Sequence, residues 1–287
     1  MTRTFTRIEV HHPIETPDVL PVELFHQITK LPKQRIKLAM QKGAVWITRG
    51  ANTQRLRRAK RKLRIGDEIH LYYDAEILDE RAPEPELIAD AGDYSVWNKP
   101  FGLRSQGSKW GDHCTIVRWA ERRLLPERPA FTLHRLDRAA NGLILVAHTK
   151  TMAARLSTLF RNREVAKHYL ALVNGDFSSQ PNPLCIDQAI EGKEAISEFS
   201  FRESVDDGAR SLLDVTIETG RKHQIRRHLT ELGYAIVGDR LYGTGASDGA
   251  DLQLAACKLA FVCPLSGSPV EYSLVADRDA TVFETKA

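Results

Sequence analysis

The sequence predicts an α+β protein with a mixed, largely antiparallel β-sheet catalytic domain and peripheral helices, preceded by a small α/β module. Two observations predict this fold class. From residue 93 onward, six short segments have the β-branched and apolar patterning of strands, whereas only two segments have helical spacing. Residues 20–74 instead begin with helical spacing and end in strands, and they are unusually rich in basic residues.

Two short helices open the basic module. Leu24, Ile28 and Leu31 recur at helical spacing, and Pro32 interrupts the stripe before a second helix that Gly43 can cap. The other predicted elements are a helix at 33–42 and strands at 44–48 and 68–73.

Positive charge is concentrated in this module although the net charge of the chain is only +4. The 43 residues from Leu24 to Gly66 include 13 Lys and Arg and no Asp or Glu, which leaves 28 basic against 37 acidic residues elsewhere. Eight of the 13 lie between Arg49 and Arg64. Such a block is typical of a surface that contacts a polyanion, and the alternative is a solvated face.

An acidic, proline-containing linker is predicted at 75–92 and the larger domain at 93–287, after an N-terminal extension at 1–19. In the larger domain, strands are predicted at 94–98, 130–133, 142–147, 168–173, 196–201 and 212–219, helices at 152–163 and 222–232, and a mobile loop at 243–251.

Several classes of protein are not expected from this sequence. It has no apolar run long enough for a membrane helix and no secretory leader. Its four cysteines form no Cys-x-x-Cys pair, and His223 and His228 lack the spacing of a metal motif. Nucleotide-binding glycine motifs are missing as well. We therefore expect a cytoplasmic monomer that needs neither metal nor cofactor.

The stretch HRLDRAANGLILVA, at 134–147, offers a candidate catalytic acid. Asp137 lies between Arg135 and Arg138 in a loop that joins two predicted strands. Nearby arginines favour the ionised carboxylate, which can act as a nucleophile or a general base. From the residues alone, a turn-forming aspartate is the alternative.

A second stretch, TGRKHQIRRHLTELGYAIVGDRLYG at 219–243, places basic residues where a helix begins. Arg221, Lys222 and His223 stand at the predicted N-terminus, and Arg226 and Arg227 follow. Helix N-termini favour anions, so the stretch is a candidate anion site. The alternative is a basic helix on the surface.

Together with DYSVWNKPFGL (93–103), KHYLALVNG (167–175) and LQLAACKLAFVCPLSG (252–267), these stretches resemble the RluA-type pseudouridine synthase family. Residues 20–74 resemble the alpha-L RNA-binding module, named for a ribosomal small-subunit protein, that often precedes that domain. The resemblance implies an enzyme that isomerises specific uridines of structured RNA to pseudouridine without a cofactor. Ribosomal RNA is the favoured substrate, and transfer RNA is the second candidate.

The resemblance also implies roles for individual residues. Asp137 matches the catalytic aspartate, Tyr169 the tyrosine that stacks on the base, and Arg221 the arginine that pairs with the catalytic carboxylate. Arg135 matches the arginine that enters the RNA helix when the base flips out. The expected RNA-binding residues are Arg135, Lys99, Arg35, Arg57, Arg58, Arg61 and Lys62.

The chain departs from the family pattern at three places. Ala140-Asn141 replaces the usual Thr-Ser, Leu254-Ala255-Ala256 the usual Leu-His-Ala, and Lys33-Gln34-Arg35 the common Ser-Arg. None removes a residue with an assigned role, but loop residues near Asp137 bear on substrate choice. Two rivals stay open: a non-catalytic RNA-binding protein on the same scaffold, and a glycosidase, for which Asp137 lacks a partner acid.

Overall fold

A computed structural model describes residues 7–243 and 249–274. The chain divides into two compact units, one of residues up to Ala82 with Gln106–Trp119, the other of Pro83–Ser105 and residues from Ala120 onward. The helices are α1 (Pro21–Thr29), α2 (Lys33–Gln41), α3 (Ala75–Asp79), α4 (Ile116–Arg123), α5 (Lys150–Arg161) and α6 (Gln224–Glu231). Within the described ranges, no helix is both long and apolar enough to cross a bilayer.

The strands are β1 (Arg7–Pro13), β2 (Val45–Arg49), β3 (Asn52–Arg55), β4 (Asp67–Asp74), β5 (Glu86–Asp90), β6 (Tyr94–Lys99), β7 (Phe131–Thr132), β8 (Asn141–Ala147), β9 (Ala166–Asn174), β10 (Leu184–Asp187), β11 (Ile196–Val205), β12 (Arg210–Ile217), β13 (Leu254–Val262) and β14 (Pro269–Ser273).

The first unit contains an antiparallel sheet of order β1-β4-β2-β3, with α1 and α2 beside it. Phe25, Ile36, Met40, Ile47 and Ile69, from both helices and two central strands, are fully buried in one core. The two helices and two strands predicted for 20–74 therefore form, the second helix and both strands within one residue of their expected bounds.

The sheet of the first unit begins earlier in the chain than the predicted module. Strand β1 lies within the predicted extension at 1–19 and pairs with β4 along its whole length. Its exposed positions carry charged and polar residues, so its apolar signal is confined to Ile8 and Val10 and is weak in the sequence. The predicted linker likewise contains α3, which Asp74 caps by accepting the Ile77 N–H at 3.1 Å, and β5.

The second unit is built on a ten-stranded sheet in which eight strands run in the order β10-β11-β12-β9-β13-β8-β6-β5, while β14 pairs with β13 and β7 with β8. Only the β8–β13 pairing among its described strands is parallel. The predicted α+β class is confirmed. The predicted mobile loop at 243–251 lies mostly outside the described residues, which omit 244–248.

Candidate active site

Asp137 lies on a loop whose backbone is fastened on both sides. Ser105 Oγ donates to the Leu136 carbonyl at 2.7 Å and accepts the Leu136 N–H at 2.9 Å. On the other side, the Gly102 N–H donates to the Arg138 carbonyl at 2.8 Å. Hydrogen bonds from the segment before the helix α4 thus flank Asp137 directly, which limits how far its carboxylate can move.

Lys99 also fixes the backbone of this loop. Its side chain is fully buried, and its Nζ donates to the carbonyls of Pro100 at 3.0 Å, Leu103 at 2.9 Å and Ala140 at 2.5 Å. Burial lowers the pKa of Lys99 to about 7, while the charge of Asp137 acts in the opposite direction. Three carbonyl acceptors match the three protons of the ammonium form.

Gly142 lets the strand after the loop approach β13. It has φ of +111°, and a Cβ there would lie 2.3 Å from the Ala256 carbonyl oxygen. Any side chain would therefore push β8 away from β13 and displace the loop that precedes β8. The small residues at positions 255 and 256 belong to this close approach, since Ala255 pairs with Asn141 and Ala256 with Gly142.

A guanidinium and an imidazole face the carboxylate of Asp137. Arg226 Nη1 lies 3.5 Å from Asp137 Oδ2, and His223 Nε2 lies 3.7 Å from Oδ1. The Asp137 side chain keeps 22% of its surface exposed, against 6% for Arg226. The carboxylate is therefore accessible to a substrate, while the arginine beside it is not.

Arg226 is held by a second carboxylate. It donates from Nε and Nη2 to the two oxygens of the fully buried Asp239, at 2.8 and 2.7 Å. Asp239 also accepts the N–H groups of Leu241 and Tyr242 at 2.9 and 3.0 Å. Burial raises the pKa of Asp239, but these hydrogen bonds, led by Arg226, outweigh it and hold the pKa below its usual range.

His223 is positioned by its backbone as much as by its ring. It has φ of +57°, in the left-handed region, directly before α6 begins. Its Nδ1 lies 2.9 Å from the Tyr242 hydroxyl, which leaves Nε2 turned to Asp137. Burial lowers the pKa of His223, although Asp137 acts against the shift.

Tyr169 stands in the centre of the sheet, on β9, opposite Val215 on β12 and Ala256 on β13. It is 8% exposed, and burial, followed by the charge of Asp137, raises its pKa. The phenol is therefore neutral at ordinary pH and offers an aromatic surface near the carboxylate.

Two predictions about this site need correction. The Arg221 Nε donates to the Glu194 carbonyl at 2.7 Å, so the predicted pairing of Arg221 with Asp137 is wrong, and Arg226 takes that place. Arg221 precedes α6 and turns toward the 190s segment, whereas Arg226 lies on the buried face of the helix. Lys99 was expected to contact RNA, but it is fully buried and occupied by carbonyls.

Arg135, the residue of the second unit predicted to enter the RNA helix, has an exposed side chain two residues before Asp137. Ala140, one of the departures from the family pattern, is 2% exposed. Its side chain is turned inward, so its methyl group is a packing feature of the loop. The sequence signal for Arg226 was its spacing in the helix, since it follows Ile225 and precedes Leu229 on the inner face.

In the first unit, two of the predicted RNA-binding arginines are engaged within the fold. Arg35 pairs with both Asp79 oxygens at 2.9 and 3.1 Å, and its Nε donates to the Tyr73 hydroxyl. Arg57 forms an ion pair with Asp112, which also binds Arg55 at 3.0 Å. Both arginines are thus structural in part, and their charge is compensated.

The remaining three face outward. Arg58 and Lys62 are exposed and Arg61 is half-buried, while Lys62 makes a 3.3 Å ion pair with the equally exposed Asp18. An open groove of about 500 Å³ is lined by Arg55, Leu56, Arg57, Arg58, Lys60 and Arg61. A polyanion can reach these cations without disturbing the core.

Comparison with known proteins identifies relatives of this chain. The sequence profile of a family described as RNA pseudouridylate synthase matches residues 93–231. The chain is 34% identical to the dual-specificity RNA pseudouridine synthase RluA of Salmonella typhimurium, over 68% of this chain and 95% of that protein. It is 32% identical to an uncharacterized RNA pseudouridine synthase of Aquifex aeolicus, over 74% of this chain and 72% of the relative.

A solved structure shows a similar fold. The human RNA pseudouridylate synthase domain containing 1 protein superposes with a TM-score of 0.58 at 25% identity, over 71% of this chain and 89% of that one.

Proposed function

The chain belongs to the RNA pseudouridylate synthase family, and from this premise we propose that Asp137 is the residue with which it converts uridine in RNA to pseudouridine. The observation that carries the proposal is the Arg226 guanidinium and the His223 imidazole, 3.5 and 3.7 Å from a carboxylate that stays partly exposed. Arg226 compensates the charge of the carboxylate, and the Arg226 and His223 side chains together hold it at a position that a substrate can reach. An ionised, fixed and accessible carboxylate is what glycosidic bond cleavage by this route requires.

The reaction exchanges one bond to the sugar for another. The uridine flips out of paired RNA, at a cost of a few kcal/mol, and its base stacks on the Tyr169 ring. The bond from the base nitrogen N1 to C1′ breaks, the uracil turns, and its C5 bonds to C1′. The C5 proton is then lost and N1 gains a proton, so the product is an isomer of the substrate.

Asp137 has two possible parts in this sequence. It attacks C1′ and forms a covalent intermediate, or it removes the C2′ proton and forms a glycal. Both start from the carboxylate and need no redox change. The raised pKa of Tyr169 favours its stacking role over that of a base at neutral pH.

We propose structured RNA as the substrate, with ribosomal RNA favoured and transfer RNA second. The exposed Arg58 and Lys62 and the half-buried Arg61 support an RNA-binding, alpha-L-like module at 20–74, followed by a linker at 75–92 and a catalytic domain at 93–287. The name of the Salmonella relative, a dual-specificity enzyme, supports keeping both RNA classes. We further propose a cytoplasmic monomer, in keeping with four free cysteines.

Tritium release tests the assignment of Asp137. RNA labelled with tritium at uridine C5 loses the label only when C5 bonds to the sugar and gives up its proton. We expect release with the wild-type protein and none with Asp137→Asn, which keeps the side chain's shape but removes its charge. Folding by circular dichroism and RNA affinity should be unchanged in the variant.

The same assay separates the rivals. A non-catalytic RNA-binding protein releases no tritium with any RNA, and a glycosidase releases free uracil instead of retaining the base. Normal turnover by a folded Asp137→Asn protein would refute the role of Asp137. Mapping pseudouridines in RNA from a strain that lacks the gene identifies the modified RNA and position.

A further inference from the structure

A cluster of imidazole and carboxylate groups lies on the first unit, where β1 pairs with β4. His11 is directly opposite His70 in the register of the two strands, and their Nδ1 atoms are 2.7 Å apart. Glu68 points to the same face, two residues before His70, with its Oε1 4.0 Å from His70 Nδ1. One donor atom from each of the three side chains lies within 4.8 Å of the others.

The second nitrogen of each ring has its own partner. His11 Nε2 lies 3.2 Å from Glu9 Oε1, and an ionised carboxylate only accepts hydrogen bonds, so this nitrogen carries a proton. His70 Nε2 lies 2.8 Å from Thr48 Oγ1, which is also 2.8 Å from Thr53 Oγ1. Either threonine hydroxyl can donate to the other. When Thr48 donates to Thr53, His70 Nε2 carries the proton that it shares with Thr48; when Thr53 donates to Thr48, the proton of His70 is on Nδ1.

The first of these arrangements leaves both Nδ1 atoms unprotonated and facing each other, as a metal site requires. Two lone pairs on nitrogens 2.7 Å apart repel unless a cation lies between or beside them. Neutral imidazoles that donate their far N–H to a carboxylate or hydroxyl are the arrangement found around protein-bound metal ions, because the far hydrogen bond fixes the tautomer. We propose that His11 Nδ1, His70 Nδ1 and Glu68 Oε1 bind a Zn²⁺-class divalent cation, with water as the fourth ligand.

The distances require only small side-chain movements. Zn²⁺ binds nitrogen and oxygen at about 2.0–2.2 Å, so two ligand atoms of a tetrahedral site are about 3.4 Å apart. The two Nδ1 atoms must separate slightly from 2.7 Å, and the Glu68 oxygen must approach His70 from 4.0 Å. The side chains of His11 and Glu68 are both 45% exposed, so they can rotate and the ion has a path from solvent.

The donor set selects the class of metal. Two imidazoles and one carboxylate suit Zn²⁺, Co²⁺ or Ni²⁺, whereas Mg²⁺ and Ca²⁺ prefer oxygen ligands. The cluster lies on the first unit. No sequence motif for metal binding includes it, because its ligands come from two strands, β1 and β4, that only the fold brings together. A bound ion would cross-link the N-terminal strand β1 to the central strand β4.

Calorimetric titration of the tag-free, full-length protein with ZnCl₂ tests the proposal. We expect one equivalent to bind to the wild type and His11→Gln to bind at least about 100-fold more weakly, because an amide replaces an imidazole ligand. His12→Gln is the matched control: it changes the neighbouring histidine, which pairs with Ile69 and points to the other face, and should bind as the wild type does.

Two further variants distinguish ligands from their supports. Glu68→Gln removes a charged ligand from an exposed position and should weaken binding without unfolding the protein. Thr48→Val removes the hydrogen-bond partner of His70 and should weaken binding by about 10–100-fold, as expected for an outer-sphere support. Zn²⁺ should raise the melting temperature of the wild type and of His12→Gln, but not that of His11→Gln.

Co²⁺ substitution checks the identity of the ligands. A tetrahedral visible spectrum without a sulfur charge-transfer band supports the site, whereas such a band would assign the ion to cysteines and refute it. Equal Zn²⁺ affinity of the wild type and His11→Gln, or binding by neither, would also overturn the proposal. In that case a shared proton holds the two Nδ1 atoms together.

Discussion

The charged residues around Asp137 and those of the basic segment in the first unit are held in opposite ways. Arg226 is 6% exposed and is fixed by two bonds to the buried Asp239. Arg58 and Lys62, in contrast, are exposed, and the ion pair of Lys62 with Asp18 joins two side chains that are each 69% exposed. The buried pair fixes the position and orientation of the Arg226 charge. The exposed side chains keep their positive charges accessible to a polyanion.

The difference follows from solvation. A buried ion loses its hydration and is tolerated only with a well-placed partner, so its contribution to stability depends on the geometry of that pair. An exposed ion is screened by salt and by water, so its contribution to binding a polyanion depends mainly on how many ions of the same sign are nearby. Conservative changes should therefore be severe at the candidate active site and graded in the basic segment.

The largest expected effect is on turnover, through the arginine beside Asp137. Arg226→Lys keeps the charge but loses the two-pronged contact with Asp239, and a misplacement of about 1 Å can cost about 100-fold in rate. We expect kcat to fall about 100-fold or more, with a smaller change in KM, measured by tritium release.

Arg221→Lys is the matched control for that change. Arg221 donates to the Glu194 carbonyl, and a lysine can retain such a bond, so we expect a loss within about threefold. Equal, large losses in both variants would mean that Arg221 acts on the substrate directly. A large loss only in Arg221→Lys would restore the pairing suggested by the sequence.

The next effect is on stability. Asp239→Asn removes the buried charged partner of Arg226 and leaves only the partly exposed Asp137 at 3.5 Å; breaking such a buried pair costs about 3–5 kcal/mol in the free energy of unfolding. Asp79→Asn, which removes the 57% exposed partner of Arg35, should cost less than about 1 kcal/mol. Urea denaturation measures both, and similar losses would abolish the contrast between the two regions.

A partly buried, neutral histidine should give a smaller, pH-dependent effect. Burial lowers the pKa of His134 to about 3, and its Nε2 accepts the Leu145 N–H at 3.0 Å. In the unfolded chain this histidine binds a proton near pH 6.5, whereas in the folded protein it stays neutral until about pH 3. The free energy of unfolding therefore falls as pH drops from about 6.5 toward 3. The slope should approach about 1.4 kcal/mol per pH unit.

His134→Gln tests that slope. Glutamine can accept the Leu145 N–H through its amide oxygen but does not titrate, so the variant should lose less stability between pH 6.5 and 4 than the wild type. Parallel curves for the two proteins would show that His134 is already protonated or accessible in the folded state.

Some of these features could be predicted from sequence because they depend on local pattern. The helices α1, α2, α5 and α6 follow apolar spacing, and Asp137 lies in a loop that its flanking strands define. The partner of Asp137 could not be predicted in this way, because Arg221 and Arg226 differ only in which side of the start of α6 they occupy. Strand β1 and the burial of Lys99 depend on contacts with distant segments, which no local pattern encodes.

The smallest effect per residue is expected in the basic segment, where charges act by number. Each phosphate contact that is lost flattens the slope of log affinity against log salt by about 0.7–0.9. Arg58→Gln should show this change, and the combined replacement of Arg58, Arg61 and Lys62 about three times as much, with turnover at saturating RNA unchanged.

Arg57→Gln is the internal control. Asp112 already compensates the charge of Arg57, so the salt slope of this variant should stay near that of the wild type. Filter binding at several salt concentrations measures all three. A larger change for Arg57→Gln than for Arg58→Gln would mean that RNA displaces Asp112, and the ion pair would then belong to the RNA-binding surface rather than to the fold.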